Sequence, residues 1–515
     1  MAETIRSPKS VTQRILDTIE RVGNIVPHPV IIFLILIGAL IVVAAIASFF
    51  GASVTMERIN PATNTIERET TAVRSLLTLD GIRFLYESLI PNFMNFTAVG
   101  LLIGAVMGAG VMEESGLVKA LIRKLVLVSP ARLLSYFLAF VGILASVAAD
   151  AGYLVLLPLA GVAFASAGRH PIAGLTLGYA AVAGAFTVNM VIKPLDAVLV
   201  QFTNDAIRLV DPTKSIALTS NLWFAIASVI FLTVLIAFLT DHVVEPRLGP
   251  YKNPQGSADN DAQDSELTPQ EKLGLRYAGL GVLGLIAVFI LLTIPSWAPL
   301  RDPQTGQIIG DSPFMNGLIG LIILLFLVSG WCYGIGAGTV RTLPDVVAAM
   351  EKAVKDLGGI ILLFFFIAQF TAYFTYTNVG AVTALNLANM VSAANLGPLT
   401  ILLGFIIIVT IIDIFIVAAI PKWAIFAPVF VPALMKLGAE PEAVLAAYRV
   451  GDSVMNQLTP INAYFALVVG IARKYKPDAG VGTVVALMLP YFVWMQLLWM
   501  IMFAAWFVLR LPWGL

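Results

Sequence analysis

The chain has 515 residues, of which 59% are hydrophobic and 12% are charged. Its 31 Lys and Arg balance its 31 Asp and Glu, so the net charge gives no reason to expect a nucleic-acid partner. A single cysteine excludes an intrachain disulfide, and three histidines without HExxH spacing argue against a zinc enzyme. The mean hydropathy of +0.91 indicates a polytopic helical membrane protein.

Long apolar runs predict nine membrane-spanning helices, because each approaches the roughly 20 residues that a hydrocarbon core of about 30 Å requires. The polar tail 1–27 precedes the first run, and no cleavable signal peptide is apparent. The predicted spans are 29–49, 91–112, 171–210, 217–240, 277–300, 313–340, 357–378, 443–472 and 481–510.

A polar stretch at 251–272 is rich in Pro, Gly, Ser and acidic residues and lacks periodicity. It predicts a flexible cytoplasmic linker. The linker divides the chain into a first half, 28–250, and a second half, 273–515.

Two pairs of short apolar arms remain, at 133–168 and 398–438. Each pair meets at a polar tip, AADAG at 148–152 and IPKW at 420–423. Short arms with a polar tip predict two re-entrant helical hairpins, which are tolerated where protein or water covers their exposed backbone. The alternative is that all four arms cross the membrane with tilt or local thinning.

Positive charge predicts the orientation of the chain, because Lys and Arg are retained in cytoplasmic loops. With the N-terminus inside, the cytoplasmic connections hold groups such as Lys119, Arg123 and Lys124, whereas 379–397 and 439–442 on the other side hold none. We therefore expect a cytoplasmic N-terminus in a bacterial inner membrane.

The pattern P-x9-G-x-x-P occurs twice, 270 residues apart, each time in the second arm of a hairpin and the turn that follows it. Because the charge count places the two hairpins in opposite orientations, the duplication predicts an inverted repeat, an architecture of secondary transporters. A proline within the span after each hairpin, Pro194 or Pro460, predicts two broken helices, 171–210 and 443–472. Hairpin tips and broken helices are where such proteins bind substrate and coupling ions.

Ionisable side chains at membrane depth cost about 2.5 to 3.5 kcal/mol each, so each is a candidate functional group. Their types suggest two roles, binding an anionic solute and carrying a coupling proton or Na⁺. The candidate substrate-binding residues are Asp150, Asn189, Lys193, Asp413, Lys422, Trp423, Arg449, Pro460 and Asn462, and the candidate coupling residues are Asp196, Asp452 and Asn456. No other cofactor is expected.

Each candidate also has a plainer interpretation. Lys193 with Asp196, and Arg449 with Asp452, are three residues apart, so each pair could neutralise itself on one helical face. Trp423 beside Lys422 suits an anionic aromatic solute through a cation–π contact, or is an ordinary packing residue. The asparagines could bind a carboxylate or Na⁺, or only cap the helix breaks. The lone Asp150 and Asp413 need a proton, a cation or a residue of the other half.

At these residues the chain resembles the p-aminobenzoyl-glutamate transporter (AbgT) family over nearly its whole length. The resemblance rests on SVAADAGYLVLLPLAG, AGRHPIAG, NMVIKPLD, GIGAGTV, AQFTAYF, PKWAIFAPVFVPALMKLG, AAYRVGDS, NQLTP and VALMLPY. It implies a homodimer with nine spans and two hairpins per protomer around a cytoplasmic cavity. It also implies uptake of p-aminobenzoyl-glutamate or proton-driven export of sulfonamide-like antimetabolites. The family's functional positions carry over as Asp196, Trp423, Arg449, Asp452 and Pro460.

The chain departs from the family inside the predicted site. It reads VAAIPKW where the family has a Ser-rich approach to Lys-Trp, and it has Asp413 where the family tends to have Asn. Lys193 and Pro194 stand where the family tends to have Gly and Thr, and Ala463 lies where it has a nearby Pro. These differences bear on the substrate rather than on the fold.

The sequence therefore predicts an all-α secondary transporter of small organic anions, with a Na⁺-coupled dicarboxylate or peptide-like importer of the same architecture as the alternative. ATP is not expected to drive it, because no GxxxxGK[ST] loop is present. A membrane enzyme is disfavoured by the lack of histidine at membrane depth and of nucleophile and base pairs. A channel, the remaining alternative, would pass current without saturating.

Overall fold

The computed structural model describes residues 27–59, 66–127, 130, 133–148, 152–251, 267–309, 312–355, 357–380, 382–383, 386 and 397–515. Asp150, most of the tail 1–27 and most of the predicted linker lie outside these ranges. Within them the protein is almost entirely helical, as expected.

Eight helices in the described part of the chain are long and apolar enough to cross a membrane. One of them, Ala419–Lys436, belongs to the second hairpin. The other seven match continuous spans and are Pro29–Phe49, Thr97–Glu114, Leu222–Leu248, Pro269–Thr293, Leu318–Ala337, Gly358–Tyr376 and Val481–Val508. Together with two interrupted spans they make the nine that were predicted. The prediction of an all-α polytopic membrane protein is confirmed.

Two spans are each divided into two helices. The first broken helix consists of Pro171–Gly184 and Pro194–Ile207, joined by the non-helical segment 185–193. The second consists of Pro441–Val454, a 3₁₀ turn at Met455–Gln457, an irregular segment at 458–464 and Phe465–Tyr475. Pro194 lies at the start of a helix instead of inside one, because its fixed φ suits the first helical position.

Each broken helix follows a hairpin. The first hairpin has arms Leu134–Ala145 and Leu157–Ser166, the latter preceded by a 3₁₀ turn at Ser146–Ala148 and a π-helical turn at Gly152–Leu156. The second has arms Pro398–Asp413 and Ala419–Lys436. Its tip is therefore 414–418. The expectation of a tip at 420–423 was wrong, and Lys422 lies in the first turn of the second arm.

The duplication has a structural meaning. Gly168 and Gly438 both end a hairpin arm with positive φ, at +72° and +86°, a conformation that glycine adopts without strain. Pro171 and Pro441 then begin two helices of 14 residues each. The shared Gly and Pro positions thus set the turn from each hairpin into its broken helix.

The core lies in the first pieces of the broken helices. All residues of Pro171–Gly184 and nearly all of Pro441–Val454 are buried. By contrast, Pro269–Thr293 buries only Gly274, Ala278 and Thr293, so its sides are available to lipid. The broken helices are therefore enclosed by protein, which is what an interrupted backbone requires within a membrane.

The connections hold structure that hydropathy did not predict. Residues 50–90 include an antiparallel pair of strands, Ser53–Ile59 and Ile66–Ala72, and helix Leu79–Glu87. Other short helices are Leu89–Met94, Leu117–Leu127, Pro313–Asn316 and Leu343–Lys355. Helix Pro269–Thr293 begins before the predicted end of the linker at 272, because Thr268 and Glu271 form a capping box.

An ion-pair network ties the first hairpin and the first broken helix to the span Leu222–Leu248. Arg169, in the turn between hairpin and broken helix, donates to Asp241 Oδ1 at 2.5 Å and to Glu245 Oε2 at 3.0 Å. It also donates to Ser135 Oγ of the first arm at 2.8 Å. One guanidinium thus joins three elements.

We expect Arg169→Ala to lower the free energy of unfolding by about 1 to 3 kcal/mol, because two half-buried carboxylates lose their charged donor. Thermal unfolding in detergent measures this loss. Arg83→Ala is the matched control, since Arg83 pairs with Asp80 while 70% exposed and its loss should change stability by less than about 0.5 kcal/mol. Equal losses in the two variants would contradict a stabilising role for the network.

Candidate functional site

Arg449 of the second broken helix is bound by the first half of the chain. Its Nη1 donates to Asp196 Oδ1 at 2.6 Å and to the Thr187 carbonyl at 2.7 Å, and its Nε donates to Asn221 Oδ1 at 3.2 Å. Asp196 also accepts the Lys193 backbone N–H at 2.8 Å, as the acidic member of the first helical turn. The helix N-terminus and the guanidinium therefore stabilise the same carboxylate.

The first break is fixed by polar contacts with the first hairpin. The Lys193 ammonium donates to the Phe186 carbonyl and to Ser146 Oγ, the latter at 3.3 Å. The Asn189 amide lies 3.1 Å from the carbonyls of Ile143 and Leu144. These bonds satisfy carbonyls at the ends of helical segments. Asn189 thus acts at least as a cap, one of the two roles considered for it.

Lys422 is shared by two carboxylates of the second half. Its ammonium contacts Oδ1 of Asp413, across the hairpin, and Oδ1 of Asp452 on the second broken helix, the latter at 2.7 Å. The three side chains are 1% exposed or less. Tyr448 Oη lies 2.8 Å from Asp452 Oδ1. The Oδ2 atoms of Asp413 and Asp452 are buried without a hydrogen-bond partner among the described residues.

Trp423 is a packing residue in this conformation. It is fully buried, its indole N–H donates to the Leu199 carbonyl at 3.0 Å, and its ring lies 4.4 Å from that of Tyr448. The indole therefore links the second hairpin to the first broken helix. A substrate could reach this ring only after a rearrangement.

A cavity of about 650 Å³ lies between the second hairpin tip and the two breaks. Asn456, Asn462 and Tyr464 of the second break line it, and Phe186 and Leu195 of the first broken helix form another part of the wall. Tyr464 stacks in parallel on Tyr153 of the first hairpin, with ring centroids 4.0 Å apart. The remaining lining includes Ile420 and Pro421 of the hairpin, Gly359 and Leu363, and His28 and Pro29 at the start of the first span.

The second break presents amide and hydroxyl groups to this region. Asn462 Nδ2 donates to the Asn456 carbonyl at 2.9 Å, and Thr459 Oγ1 donates to the Ile414 carbonyl of the hairpin tip at 3.3 Å. Asn456 Oδ1 and Gln457 Oε1 are buried without a hydrogen-bond partner in the described ranges. Pro460 lies within the irregular segment 458–464 and lacks the N–H that a continuous helix would use.

The alternative in which each charged pair neutralises itself on its own helix is not what the structure shows. Arg449 pairs with Asp196 of the other half, and Asp452 pairs with Lys422 of the hairpin. The fold overrides sequence proximity because each side chain reaches a closer partner on a neighbouring element. Asp413, which has no partner near it in sequence, receives Lys422 from the opposite arm.

Several site residues were missed from the sequence. Thr187 donates to the Arg449 carbonyl at 2.8 Å, and its backbone N–H donates to Ser453 Oγ at 3.1 Å, so the two broken helices are joined directly. Tyr448 could have been found, because it precedes Asp452 by four residues on one helical face. Asn221 gave no signal. In the described part of the chain, no group of three or more His, Cys, Asp or Glu side chains is placed to hold a metal.

A double-variant cycle distinguishes the observed pairing from the local one. Asp196→Asn and Arg449→Met should each cost about 3 to 5 kcal/mol of stability, since each leaves a buried partner unpaired. The stability lost in the double variant should be smaller than the sum of the two single losses, and the difference should exceed about 1 kcal/mol. Unfolding in detergent measures all four proteins.

The control cycle combines Arg449→Met with Asp452→Asn. These residues have different ion-pair partners, so their coupling should be smaller than that between Asp196 and Arg449. A larger coupling in the control cycle than in the Asp196 cycle would favour the local pairs instead.

Comparison with known proteins identifies relatives over almost the whole chain. Residues 14–515 match the model of the AbgT putative transporter family. The p-aminobenzoyl-glutamate transport protein of Escherichia coli (strain K12) is 34% identical over 505 residues, which cover 98% of this chain and 97% of that protein. The Alcanivorax borkumensis YdaH transporter, whose crystal structure shows an unusual topology, matches with a TM-score of 0.87 and 38% identity over 95% of this chain and all of its own. Neisseria gonorrhoeae MtrF, described as illuminating a class of antimetabolite efflux pumps, matches with a TM-score of 0.90 and 37% identity over 96% of this chain and 97% of its own. The chain therefore belongs to the AbgT putative transporter family.

Proposed function

We propose that this protein is a proton-coupled secondary transporter of small organic anions, with p-aminobenzoyl-glutamate or sulfonamide-type antimetabolites as its substrates. The observation that carries the proposal is the cavity of about 650 Å³ between the hairpin tip and both breaks, directly beside buried ion pairs. The names of two relatives, a p-aminobenzoyl-glutamate transport protein and an antimetabolite efflux pump, support the substrate class.

The size and lining of the cavity suit an aromatic solute with amide or acid groups. Pockets for drug-sized ligands occupy roughly 300 to 1,000 Å³ and combine apolar walls with a few polar groups. Here the walls are largely aromatic and aliphatic, and the Asn456 and Asn462 amides supply polar contacts. Ile420 and Pro421 make the hairpin lip apolar, so we expect a less polar flank on the substrate than a Ser-rich lip would accept.

The charges behind the cavity wall favour an anion. Asp196 pairs with Arg449, whereas the Lys193 ammonium contacts only neutral groups, the Phe186 carbonyl and Ser146 Oγ. Two positive charges therefore lie near a single paired carboxylate, which leaves a local positive surplus. The Lys193 ammonium binds the carbonyl of Phe186, a wall residue, and lies 4.9 Å from its ring centroid. In a low-dielectric surrounding this surplus attracts a carboxylate or sulfonamide anion through the wall.

Transport requires that the site face each side in turn. In the proposed mechanism the hairpins and broken helices shift against the remaining helices, which supply the contact of a homodimer. We place the protein in a bacterial inner membrane with its N-terminus in the cytoplasm. In that orientation the part of the cavity wall formed by His28 and Pro29 lies toward the cytoplasm. Asp196 and Asp452 are the preferred coupling carboxylates, because both belong to pairs that join moving elements.

Sodium coupling, as in a dicarboxylate or peptide-like importer, is the second candidate. It is favoured by the unpartnered oxygens of Asn456 and Gln457, since Na⁺ binds oxygen ligands. Uptake into liposomes that follows a sodium gradient and ignores a pH gradient would establish it.

Binding of labelled p-aminobenzoyl-glutamate to the purified protein tests the proposed site. We expect Asn456→Leu to weaken binding by about tenfold or more, because the cavity loses an amide while its volume is nearly kept. Equilibrium dialysis measures the affinity.

Asn378→Gly is the matched control for this test. Asn378 lies outside the cavity at φ +57°, a conformation that glycine adopts readily, so an amide is lost without backbone strain. Its affinity should equal that of the unsubstituted protein. No change in Asn456→Leu would remove this cavity as the binding site.

A further inference from the structure

The second half buries two carboxylates around one ammonium. Asp413 and Asp452 each contact Lys422 through Oδ1, and the three side chains are excluded from solvent. If both carboxyls are ionised, the direct contacts leave one negative charge uncompensated. Such a charge is costly in a low-dielectric interior unless it is neutralised.

The neighbouring groups do not supply this neutralisation by contact. Tyr448 offers a neutral hydroxyl to Asp452, Arg449 binds Asp196, and the Lys193 ammonium binds Phe186 and Ser146. On the last span, Gln496 accepts from Thr410 of the first hairpin arm and carries no charge. The Oδ2 atoms of Asp413 and Asp452 have no hydrogen-bond partner among the described residues.

We propose that the Asp413–Asp452 pair around Lys422 is the site where the transporter carries one proton. This assignment rests on the proposed function and specifies its coupling site. A proton taken from water converts one carboxylate to a neutral carboxylic acid and leaves one carboxylate paired with one ammonium. Two close carboxylates that share a site commonly hold one proton between them in this way.

A proton fits this site better than Na⁺. The ammonium of Lys422 already lies between the two Oδ1 atoms, so a metal ion would be placed beside a positive charge. Na⁺ also needs several oxygen ligands, whereas a proton needs only one of the unpartnered Oδ2 atoms. Asp413 is therefore a coupling residue, a different role from the substrate contact expected from the sequence.

The proton also affects the anion site. With all groups ionised, the negative surplus around Lys422 offsets the positive surplus formed by Lys193 and Arg449 around Asp196. Protonation removes this offset, so the positive surplus acts fully on the substrate. Proton binding and anion binding therefore strengthen each other, and by linkage anion binding takes up as much as one proton at pH values where the free site is ionised.

Asp413→Asn tests this proposal, because asparagine has nearly the shape of a protonated aspartic acid and cannot ionise. In the unsubstituted protein, affinity for p-aminobenzoyl-glutamate should fall by about tenfold from mildly acidic to neutral pH. Asp413→Asn should bind at neutral pH as tightly as the unsubstituted protein does at acidic pH. It should also take up no proton on binding, as measured with a pH indicator in unbuffered solution.

Asp205→Asn is the control. Asp205 is a carboxylate of the first broken helix that accepts from Gln201 and Arg208 and contacts none of the three residues of the proton site. This variant should keep the pH dependence and the proton uptake. Retention of both properties in Asp413→Asn, or their loss in Asp205→Asn alone, would overturn the proposal.

Infrared difference spectra test the site without any substrate. A pH titration of the purified protein should show, besides the bands of other carboxyl groups such as Asp205, one C=O stretch of a protonated carboxyl group that is lost in Asp413→Asn and kept in Asp205→Asn. This band separates the two proposals, since it is expected even if p-aminobenzoyl-glutamate does not bind. If Asp413→Asn does not fold, Asp452→Asn replaces it in the titration. Survival of this C=O band in the variant used, or a response of the band to sodium at fixed pH, would overturn the assignment.

Discussion

Buried charge in a low-dielectric interior is the constraint on which the rest of this structure depends. A membrane-embedded carboxylate or ammonium must be paired, and here the pairs join elements that are distant in sequence. Arg449 reaches Asp196 in the other half, and Lys422 joins the second hairpin to Asp452 of the second broken helix. These ion pairs therefore hold together the elements that are proposed to move. A motion that separated the two members of a pair would have to give each charge a new partner.

The two helix breaks depend on each other for the same reason. Each break frees backbone groups that lipid cannot satisfy. Thr187 of the first break bonds the Arg449 carbonyl and Ser453, and Tyr179 donates to the Asn456 carbonyl at 3.2 Å. Glycine at 184 allows close approach, since a Cβ there would lie 2.9 Å from the Gln457 side chain. Because each break satisfies the other, the inverted halves form a single polar centre instead of two.

Most of the fold could be predicted from the hydropathy of the sequence and from its turn residues. Apolar length revealed the spans, and the repeated Gly and Pro positions revealed the paired hairpins and broken helices, because both signals are local. The partners of the charges could not be predicted, since the spacing of Arg449 and Asp452 is equally compatible with a local pair. Trp423 shows the same limit, because a tryptophan beside a lysine looks the same in sequence whether its ring faces a cavity or packs against Tyr448. The strands Ser53–Ile59 and Ile66–Ala72 were not predicted, because they lie in a polar connection that has no long apolar run.

The residues that line the cavity and the charged residues behind them are separate sets, and they are under different constraints. The side chains around the cavity are mostly neutral, so they can change without leaving a buried ion unpaired. The charged side chains behind the cavity wall are paired with one another, so removal of one charge leaves another buried charge without a partner. Ile420 and Pro421 fall in the first class, because both line the cavity proposed to bind the solute. Asp413 falls in the second class, since its carboxylate adds a negative charge to a pair that Lys422 and Asp452 could already balance. The interior therefore holds one carboxylate more than the Lys422 ammonium can balance, and burial of that surplus charge is what favours its neutralisation by a proton.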